Sequence, residues 1–357
     1  MVNQRALFHL GVVPGDGIGP EVIAEGLKVL KTVEQSLGTV SFSLRHFPVG
    51  AGEYLRSGEA LSDTRFSELR KCDAILLGAI GLPDVRLPDG TEISPQLDLR
   101  ERLDLYCGLR PLRLFHRDHT PLKGYDAGDI DFVLIRESTE GLFSSRRAER
   151  ANDPDTASDT MCISRKGSER VFRAAFEQAR RRRRLVTLVD KANVLPSMAF
   201  FRRIFDQVAE DYPDVRTEHL YVDAAALRLV RKPESFDVIV TENMFGDILS
   251  DLGAGLVGGM GMAPSADIGE GHAVFQPAHG SAPDIAGRGL ANPTATILSV
   301  ALMLEWLDHP ETVEGARLIR RAVEEILAHC PGTRDLGGKL SACELGDLIS
   351  RNVEGQR

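Results

Sequence analysis

The chain has 357 residues and a formal net charge of −9 at pH 7, with 43% hydrophobic and 27% charged residues. This is the composition of a folded globular protein, and it excludes an intrinsically disordered chain. The length predicts two domains, the acidic balance argues against nucleic-acid binding, and no apolar run approaches the roughly 20 residues that span a bilayer.

Strand-like runs alternate with helix-like segments along the chain. An apolar run over residues 7–13 ends at a Pro-Gly pair, and residues 20–35 then predict a helix with a proline near its start. Further strands are predicted, in chain order, at residues 41–47, 74–78, 131–135, 186–189 and 238–241. This alternation predicts an α/β protein with a substantial parallel sheet.

Two segments differ from this pattern. Residues 136–161 are polar and lack a helical period, so they predict either an arm that reaches a partner or an exposed loop. Residues 180–184 are five consecutive arginines that follow a helix predicted over residues 169–179. Because positive side chains suit the negative end of a helix dipole, we interpret this run as a solvated helix end rather than a phosphate or nucleic-acid site.

A glycine-rich turn, GDGIGPE, joins the first strand to the first helix at residues 15–21. Glycines let the backbone approach a ligand, and a helix N-terminus favours an anion. The spacing is G-x-G-x-G, which does not match the dinucleotide fingerprint, and the second strand ends without an acid that would hold a ribose. The turn therefore argues against a Rossmann domain.

Three aspartates are candidates for a metal site. Asp247 and Asp251 in NMFGDILSD are four residues apart, which places them on one face of a predicted helix. A divalent cation with oxygen ligands would offset their repulsion, although two surface acids near a helix N-terminus fit the spacing equally well. Asp223 in YVDAAAL lies in a largely apolar stretch, where charged residues seldom lack a function.

Four basic residues lie among apolar segments, namely Arg100, Arg110, Arg136 and Lys191. Since the guanidinium fork matches the geometry of a carboxylate, together they could bind a substrate with two or more carboxylates. Each of them taken alone would more often be a surface charge.

The segment over residues 275–293 is rich in Gly, Pro, Ala and Asn, which predicts a long structured loop of the kind that is usually functional. Its hydrogen-bonding groups are His279, Asp284 and Asn292.

The start of the chain and its cysteines indicate a compartment. The first apolar stretch leads straight into the glycine-rich turn without a small-residue cleavage site, so we do not expect a signal peptide. The five cysteines are widely spaced and include no C-x-x-C pair. This pattern predicts reduced thiols in a cytoplasmic protein and excludes a zinc ribbon.

Taken together, these motifs resemble those of the isocitrate/isopropylmalate dehydrogenase family, the β-decarboxylating dehydrogenases, whose members also include tartrate and D-malate dehydrogenases. The matching motifs occur in family order and are GDGIGPE, LxLYxxLRP, RExTEG, DKANVL, YVDAAA, FGDILSDL, HGSAPDIAGRGLANP and TRDLGG. The resemblance implies a two-domain isopropylmalate dehydrogenase-like α/β fold with a mixed parallel sheet, which is not a Rossmann fold. It implies a discontinuous cofactor-side domain over residues 1–105 and 258–357. A second domain over 106–257 would carry the substrate and metal site, the dimer interface and an intersubunit arm at about 136–161.

The resemblance also implies roles by position. The substrate would be bound by Arg100, Arg110, Arg136, Gln96 and Phe143. Proton transfer would use Lys191 and Asp223, both contributed by the neighbouring subunit of a homodimer. Mg²⁺ or Mn²⁺ would be held by Asp247, Asp251 and the neighbour's Asp223. The cofactor would be held by His279, Gly280, Ser281, Asp284 and Asn292, and the acid at Asp284, which repels a 2′-phosphate, implies NAD rather than NADP.

The sequence departs from the family's pattern at three positions. Phe143 stands where the family usually has the tyrosine that helps to protonate the enolate, and a phenyl ring has no O–H. Gln276 stands where a glutamate is usual, which removes a charge near the cofactor. Gln96 stands where isopropylmalate dehydrogenases usually have a leucine, which argues for a polar or small 3-substituent, although Leu97 and Val194 leave some apolar wall.

We therefore predict an NAD- and divalent-metal-dependent dehydrogenase. It would oxidise, and is expected to decarboxylate, a (2R)-malate-type 2-hydroxy dicarboxylate such as 3-isopropylmalate, tartrate or D-malate. The alternative is a catalytically silent or regulatory subunit, which Phe143 favours. The retained Lys191 and the three aspartates argue against that alternative. The expected partners are the small-molecule substrate and a second copy of the chain, with neither nucleic acid nor membrane.

Overall fold

The computed structural model describes residues 5–147 and 155–356. The strands of these ranges are β1 (Ala6–Val13), β2 (Val40–His46), β3 (Ala74–Leu77), β4 (Cys107–Arg113), β5 (Asp131–Glu137), β6 (Leu185–Asp190), β7 (Arg216–Tyr221), β8 (Val238–Thr241), β9 (Pro264–Ile268) and β10 (Ala273–Pro277). The helices are α1 (Gly19–Leu37), α2 (Ala51–Ser57), α3 (Asp63–Leu69), α4 (Pro95–Arg102), α5 (Arg165–Arg180), α6 (Pro196–Ala209), α7 (Val222–Arg231), α8 (Asn243–Leu256), α9 (Thr294–Trp306), α10 (Pro310–His329) and α11 (Ala342–Gly355). No described helix combines the length and apolarity needed to cross a membrane.

All of these strands form one sheet in the order β2-β1-β3-β10-β9-β4-β5-β8-β6-β7. Neighbouring strands are parallel at both ends of the sheet, whereas β9 runs antiparallel to β10 and β4, and β4 runs antiparallel to β5. The predicted mixed sheet is confirmed. The predicted boundary between the two domains would pass between β9 and β4, and that division remains a prediction.

Helices cover the sheet with separate apolar clusters. On the β2 side, α1 and α10 pack against α9, whose residues from Thr294 to Leu304 are all buried, and α11 packs against α1 and α10. Because α9 is mostly apolar and is buried on every face, it fits only the middle of such a layer. On the β7 side, α5 and α6 join through packed aromatic rings, such as Phe172 against Phe201 with centroids 4.5 Å apart. A third cluster lies beneath α7 and α8.

The strands and helices predicted from periodicity are confirmed within two residues at most of their ends, except that the helix predicted over 169–179 begins earlier, at Arg165. The polar segment predicted over 136–161 begins too early, because Arg136 and Glu137 are buried at the end of β5. A short 3₁₀ turn, Phe143–Arg147, follows, and an isolated bridge joins Gly141 to Cys162. Residues 148–154 of the predicted arm lie outside the described residues.

The interpretation of the arginine run as a solvated helix end is wrong for Arg182. Its guanidinium is half-buried and bonds the carboxylates of Asp131 at 2.7 Å and Asp237 at 2.8 Å. Arg180, by contrast, lies at the end of α5 and pairs with Asp214 on the surface. Because Asp131 begins β5 and Asp237 precedes β8, Arg182 ties together the starts of two neighbouring strands.

Candidate active site

A cleft of about 480 Å³ lies at the carboxyl ends of β3 and β10. Its walls come from the loop after β3, from α4 and α8, from β4 and β5, and from the start of the segment after β10. Open α/β sheets bind ligands at such strand ends. The predicted residues that line it are Gln96, Arg100, Arg110, Arg136, Phe143, Asp247, Asp251, His279 and Gly280.

Strand register places the polar side chains of the cleft floor on one face of the sheet. Gly108 lies opposite both Arg136 on β5 and Asp267 on β9, and residues two apart on a strand point to the same face. Arg110 therefore shares a face with Arg136 and Asp267. Gln276 on β10 lies opposite Ser265, so it joins the same face. A continuous polar row thus crosses four adjacent strands.

The three arginines of the cleft are almost fully buried. Arg100 and Arg110 are 8% and 5% exposed, and Arg136 is 1% exposed. Burial and the nearby charge of Arg100 lower the pKa of Arg136 to about 10, so its guanidinium is still charged at neutral pH. Buried cations of one sign require a counter-charge from the protein or from a ligand. The protein supplies part of that counter-charge, through Asp267 beside Arg100 and Asp247 beside Arg136, and the cleft can also receive an anionic ligand.

Arg136 is fixed by α8. Its Nε and Nη2 donate to Oδ1 of Asn243 at 2.9 and 2.6 Å, and its Nη1 donates to Asp247. The Phe143 ring lies over this guanidinium, with its centroid 5.1 Å from Cζ. Glu242 caps the helix by accepting from the backbone N–H of Phe245 and Met244. The helix start therefore holds both the arginine and the acids that follow it.

The two acids of α8 face the cleft together, as their spacing predicts. Partial burial, and then the like charge of Asp247, raise the pKa of Asp251. Such a pair gains from a nearby cation. Lys191 and Asp223 do not line this cleft in the chain itself; they pair with one another, Nζ to Oδ2, at 2.9 Å. Among the described residues, these three aspartates are not assembled within a single chain.

A separate group of possible metal ligands is occupied by a lysine. Glu25, Cys343 and Asp347 lie close enough to share an ion. The ammonium of Lys28 is 2.6 Å from each of the two carboxylates. This ammonium provides the positive charge that a metal would otherwise supply, so the group is an internal ion pair.

The loop after β10 packs against the glycine-rich turn. Ile18 donates its backbone N–H to the carbonyl of Ser281 at 2.8 Å. Gly17 has a φ of +56°, and a Cβ there would lie 2.0 Å from that same oxygen, so only glycine fits. The two motifs that the sequence singled out separately therefore form one structural unit.

The predicted cofactor residues differ in their exposure. His279 donates its Nδ1–H to the carbonyl of Gly280 at 2.9 Å, and its buried Nε2 has no partner among the described residues. Burial lowers the pKa of His279, so its imidazole is neutral. Asp284 is exposed, whereas Ser281 and Asn292 are buried. The Asn292 amide bonds Asp335 at 3.0 Å and the backbone N–H of Thr294 at 3.0 Å.

Asp267 is the main residue that the sequence reasoning missed. It is 1% exposed on β9, and its Oδ2 accepts from Arg100 Nε at 2.9 Å and from Gln276 Nε2 at 2.7 Å. Arg110 donates to Ser265 and approaches Asp267 Oδ1 to 4.0 Å. The sequence does contain a signal for it: Asp267 lies in the largely apolar run PSADI, and charged residues in such runs, like Asp223, seldom lack a function.

Comparison with known proteins identifies the family. The sequence model of the isocitrate/isopropylmalate dehydrogenases matches residues 9–349. A 3-isopropylmalate dehydrogenase from Corynebacterium efficiens is 45% identical over 352 residues, which are 97% of this chain and 99% of that protein. The crystal structure of isocitrate dehydrogenase from Methylococcus capsulatus superposes with a TM-score of 0.86 at 35% identity, covering 97% of this chain and 99% of the other. A β-decarboxylating dehydrogenase from Thermococcus kodakarensis gives 0.81 at 38% identity, covering 98% and 96%.

The chain belongs to the isocitrate/isopropylmalate dehydrogenase family. Its predicted fold is therefore confirmed, and so is the prediction that it is an enzyme of this dehydrogenase family. Its failure to match the dinucleotide fingerprint agrees with the sheet, in which antiparallel strands occupy the middle.

The three departures from the family's pattern all lie on the cleft wall of this dehydrogenase. Phe143 covers Arg136 with a ring that has no hydroxyl. Gln276 donates to the buried carboxylate of Asp267. The side-chain Oε1 of Gln96 is buried and has no hydrogen-bond partner among the described residues, so it can accept from a ligand.

Proposed function

We propose that this enzyme oxidises a (2R)-malate-type 2-hydroxy dicarboxylate with NAD⁺ and Mg²⁺ or Mn²⁺, and that decarboxylation follows. One observation carries the proposal: three buried guanidinium groups and two carboxylates face the same cleft of about 480 Å³. A dianionic substrate would bind these guanidinium groups in addition to Asp267 and Asp247, which pair with Arg100 and Arg136 in the chain itself. The two acids would meet a divalent cation rather than the substrate's own carboxylates.

The arginines would hold the substrate by its carboxylates. Arg100 is bonded through Nε on one edge, which leaves its terminal nitrogens for a carboxylate in the cleft. Arg136 is held by Asn243 and Asp247, so a substrate meets a guanidinium already fixed in orientation. Fixing both ends of the substrate places its C2 hydrogen at one position in the cleft, which is the requirement for a directed hydride transfer.

Asp247 and Asp251, completed by Asp223 of the neighbouring subunit, would hold the metal. The raised pKa of Asp251 fits this assignment, because two facing carboxylates destabilise one another until a cation binds. A bound divalent cation lowers the pKa of the substrate hydroxyl and stabilises negative charge on the adjacent oxygens. Lys191 of the neighbouring subunit, directly or through water, would take the hydroxyl proton.

The segment after β10 would hold the adenosine half of NAD⁺, a cofactor that supplies the hydride acceptor when it is bound. Asp284 is an exposed acid in that segment, and an exposed acid repels the 2′-phosphate of NADP. His279 and Gly280 extend the same segment into the cleft. The neutral His279 imidazole keeps one ring nitrogen free for a ligand.

A homodimer is proposed because Lys191 and Asp223 lie outside the cleft of their own chain, and because large apolar side chains of α7, of α8 and of the loop after β6 are exposed. Val194 is 64% exposed, Leu227 on α7 is 61% exposed and Ile248 on α8 is 59% exposed. Exposed apolar side chains of this size mark an interaction site when they form one surface, as we propose for these three. A second copy that covered this surface would bring the Lys191 pair toward the neighbour's cleft. We also propose that the chain divides into two domains at residues 105/106 and 257/258. Because its described cysteines are free thiols, we propose a cytoplasmic location for the protein.

The proposal covers two types of substrate, which differ in the substituent at C3. The 45% identical relative is a 3-isopropylmalate dehydrogenase, which favours an alkyl 3-substituent. Gln96, with its unpartnered Oε1, favours a hydroxyl there, as in tartrate, or no substituent, as in D-malate. Leu97 gives the same wall an apolar part.

A second candidate function is a catalytically silent or regulatory subunit, which the absence of a hydroxyl at Phe143 favours. The intact arginines and acids of the cleft favour an active enzyme, because a silent subunit needs neither. The test is NADH formation, followed at 340 nm, with Mn²⁺ across a panel of 3-alkylmalates, tartrates and D-malate. Activity with one member supports the proposal and identifies the 3-substituent. No NADH with any member, from a dimeric folded protein, would favour the silent subunit.

A further inference from the structure

We propose that Asp267 and Gln276 act together as a pair of positioning residues. The pair must carry one negative charge in total, and this charge sets the affinity for anions of the cleft that Arg100, Arg110 and Arg136 line. The inference rests on the proposed function only for the identity of the anion, because the pair and the arginines are features of the chain itself. Neither residue is assigned to bond making or breaking.

The geometry places a single carboxylate behind the arginines. Asp267 does not line the cleft, and it bonds the inner edge of Arg100 through Oδ2. Arg110 lies 4.0 Å from the other oxygen, Oδ1. Both arginines also line the cleft, so a ligand bound there and Asp267 act on the same two guanidinium groups.

Asp267 is ionised in spite of its burial. Burial alone would favour the neutral acid, but Arg100 and Arg110 together hold the pKa of Asp267 below its ordinary value. The carboxylate therefore offsets part of the positive charge that a ligand would otherwise meet. Its presence weakens the attraction for an anion while it fixes the direction of Arg100.

Gln276 makes this arrangement possible because it is an amide. Its Nε2 donates to Asp267 Oδ2 at 2.7 Å, and the two side chains are diagonal neighbours on β10 and β9. A carboxylate at residue 276 would place two acids in direct contact within a buried site, where like charges are strongly unfavourable. One acid and one amide satisfy each other in either order, whereas two acids or two amides do not.

The experiment uses four proteins: the wild type, Asp267→Asn, Gln276→Glu and the double variant, which exchanges acid and amide. The probe is inorganic sulfate, measured by isothermal titration calorimetry at constant ionic strength, because a dianion reports the arginines without any reaction. Melting temperatures are measured in sulfate-free buffer. The matched control is Asp237→Asn, which removes a buried carboxylate paired with Arg182 at the opposite end of β8.

We expect the two single variants to change the sulfate affinity in opposite directions, and the double variant to regain the stability that each single variant loses. Asp267→Asn should bind sulfate roughly tenfold more tightly and Gln276→Glu roughly tenfold more weakly, since a unit charge is removed or added within a few ångströms. Both single variants should melt below the wild type, and the double variant should recover most of that loss and bind sulfate within about threefold of the wild type. Asp237→Asn should lower the melting temperature without changing sulfate affinity. If Gln276→Glu does not fold while the double variant does, the coupling is likewise supported.

The proposal is overturned if Asp267→Asn binds sulfate no more tightly than the wild type, or if the double variant melts below both single variants. Undetectable sulfate binding by the wild type would also overturn it, because the arginines would then have no free edges. These outcomes are separate from the proposed function. A wild type that binds sulfate as expected but oxidises no substrate in the panel would refute the function and leave the pair intact.

Discussion

Replacing Gly246 by alanine should damage the site through Arg136 alone. Gly246 lies on α8 with its backbone against β5, and a Cβ there would be 2.7 Å from Arg136 Cγ and 2.8 Å from its Cβ. Ordinary contact begins at 3.4 Å, so the Arg136 side chain must retreat by about 0.7 Å. Because β5 is hydrogen-bonded on both sides, to β4 and β8, the strand itself cannot easily follow.

The expected size of the effect follows from that displacement. Overpacking costs about 1–3 kcal/mol, and the better helix propensity of alanine returns roughly 0.5–1 kcal/mol. At about 2.1 cal/mol/K of unfolding entropy per residue, a net loss of that size lowers the melting temperature by only a few degrees. A misplacement of about 1 Å can cost a hundredfold in rate, so kcat/KM should fall about tenfold to a hundredfold while the protein stays folded.

The assay is NADH formation on the best substrate of the panel, together with thermal denaturation. The matched control is Gly255→Ala on the same helix, where a Cβ would meet no heavy atom within 4 Å. That variant should keep wild-type kinetics and be equally or slightly more stable. If Gly246→Ala matches Gly255→Ala in kcat/KM, Arg136 is not held where the reaction needs it and the argument fails.

Four further outcomes are expected. Asp247→Asn should abolish metal-dependent turnover with its circular dichroism unchanged, and full wild-type activity in EDTA would exclude the metal role. NAD⁺ should be preferred over NADP⁺ by more than about tenfold in kcat/KM, because Asp284 repels a 2′-phosphate, and equal efficiencies would contradict this. Mixing Asp247→Asn chains with Lys191→Ala chains should restore partial activity, since one site of each heterodimer is intact. If heterodimers confirmed by native mass spectrometry recover no activity, the site lies within one chain. Phe143→Tyr should raise the rate of CO₂ release relative to NADH formation, within the roughly 10²–10⁴ that general acid catalysis contributes. An unchanged ratio would show that the hydroxyl is not limiting.

The elements that the sequence predicted are those with a clean apolar period. Strands β1, β3 and β8 are short apolar runs, and α1 has a proline at its start and Gly38 in a left-handed conformation at its end. Strand β4, CGLRPLR, was missed because arginine and proline interrupt its pattern. Its Arg110 is tolerated in the interior because β9 brings Ser265 and Asp267 beside it, which is information about register rather than about local sequence.

The candidate site was predictable to a similar extent. The sequence pattern was enough to select the two acids of α8, from their spacing, and the three arginines, from their position among apolar segments, and the structure brings all five to one cleft. It could not show that Gln276 faces Asp267, because that contact depends on the pairing of β9 with β10. Nor could it show that Arg182 is half-buried between the starts of β5 and β8, since a run of five arginines suggests only a charged surface.

The order of strands in the sheet also has a consequence for synthesis of the chain. Strand β3 ends at Leu77, yet its second neighbour is β10, which begins at Ala273, and the buried helix α9 comes later still. During translation, the first three strands must wait for almost two hundred further residues before their edge is paired and their apolar face is covered. Such sequence-distant pairing slows folding, and an open strand edge invites aggregation. The half of the sheet made from β4 to β8, by contrast, is complete before β9 leaves the ribosome.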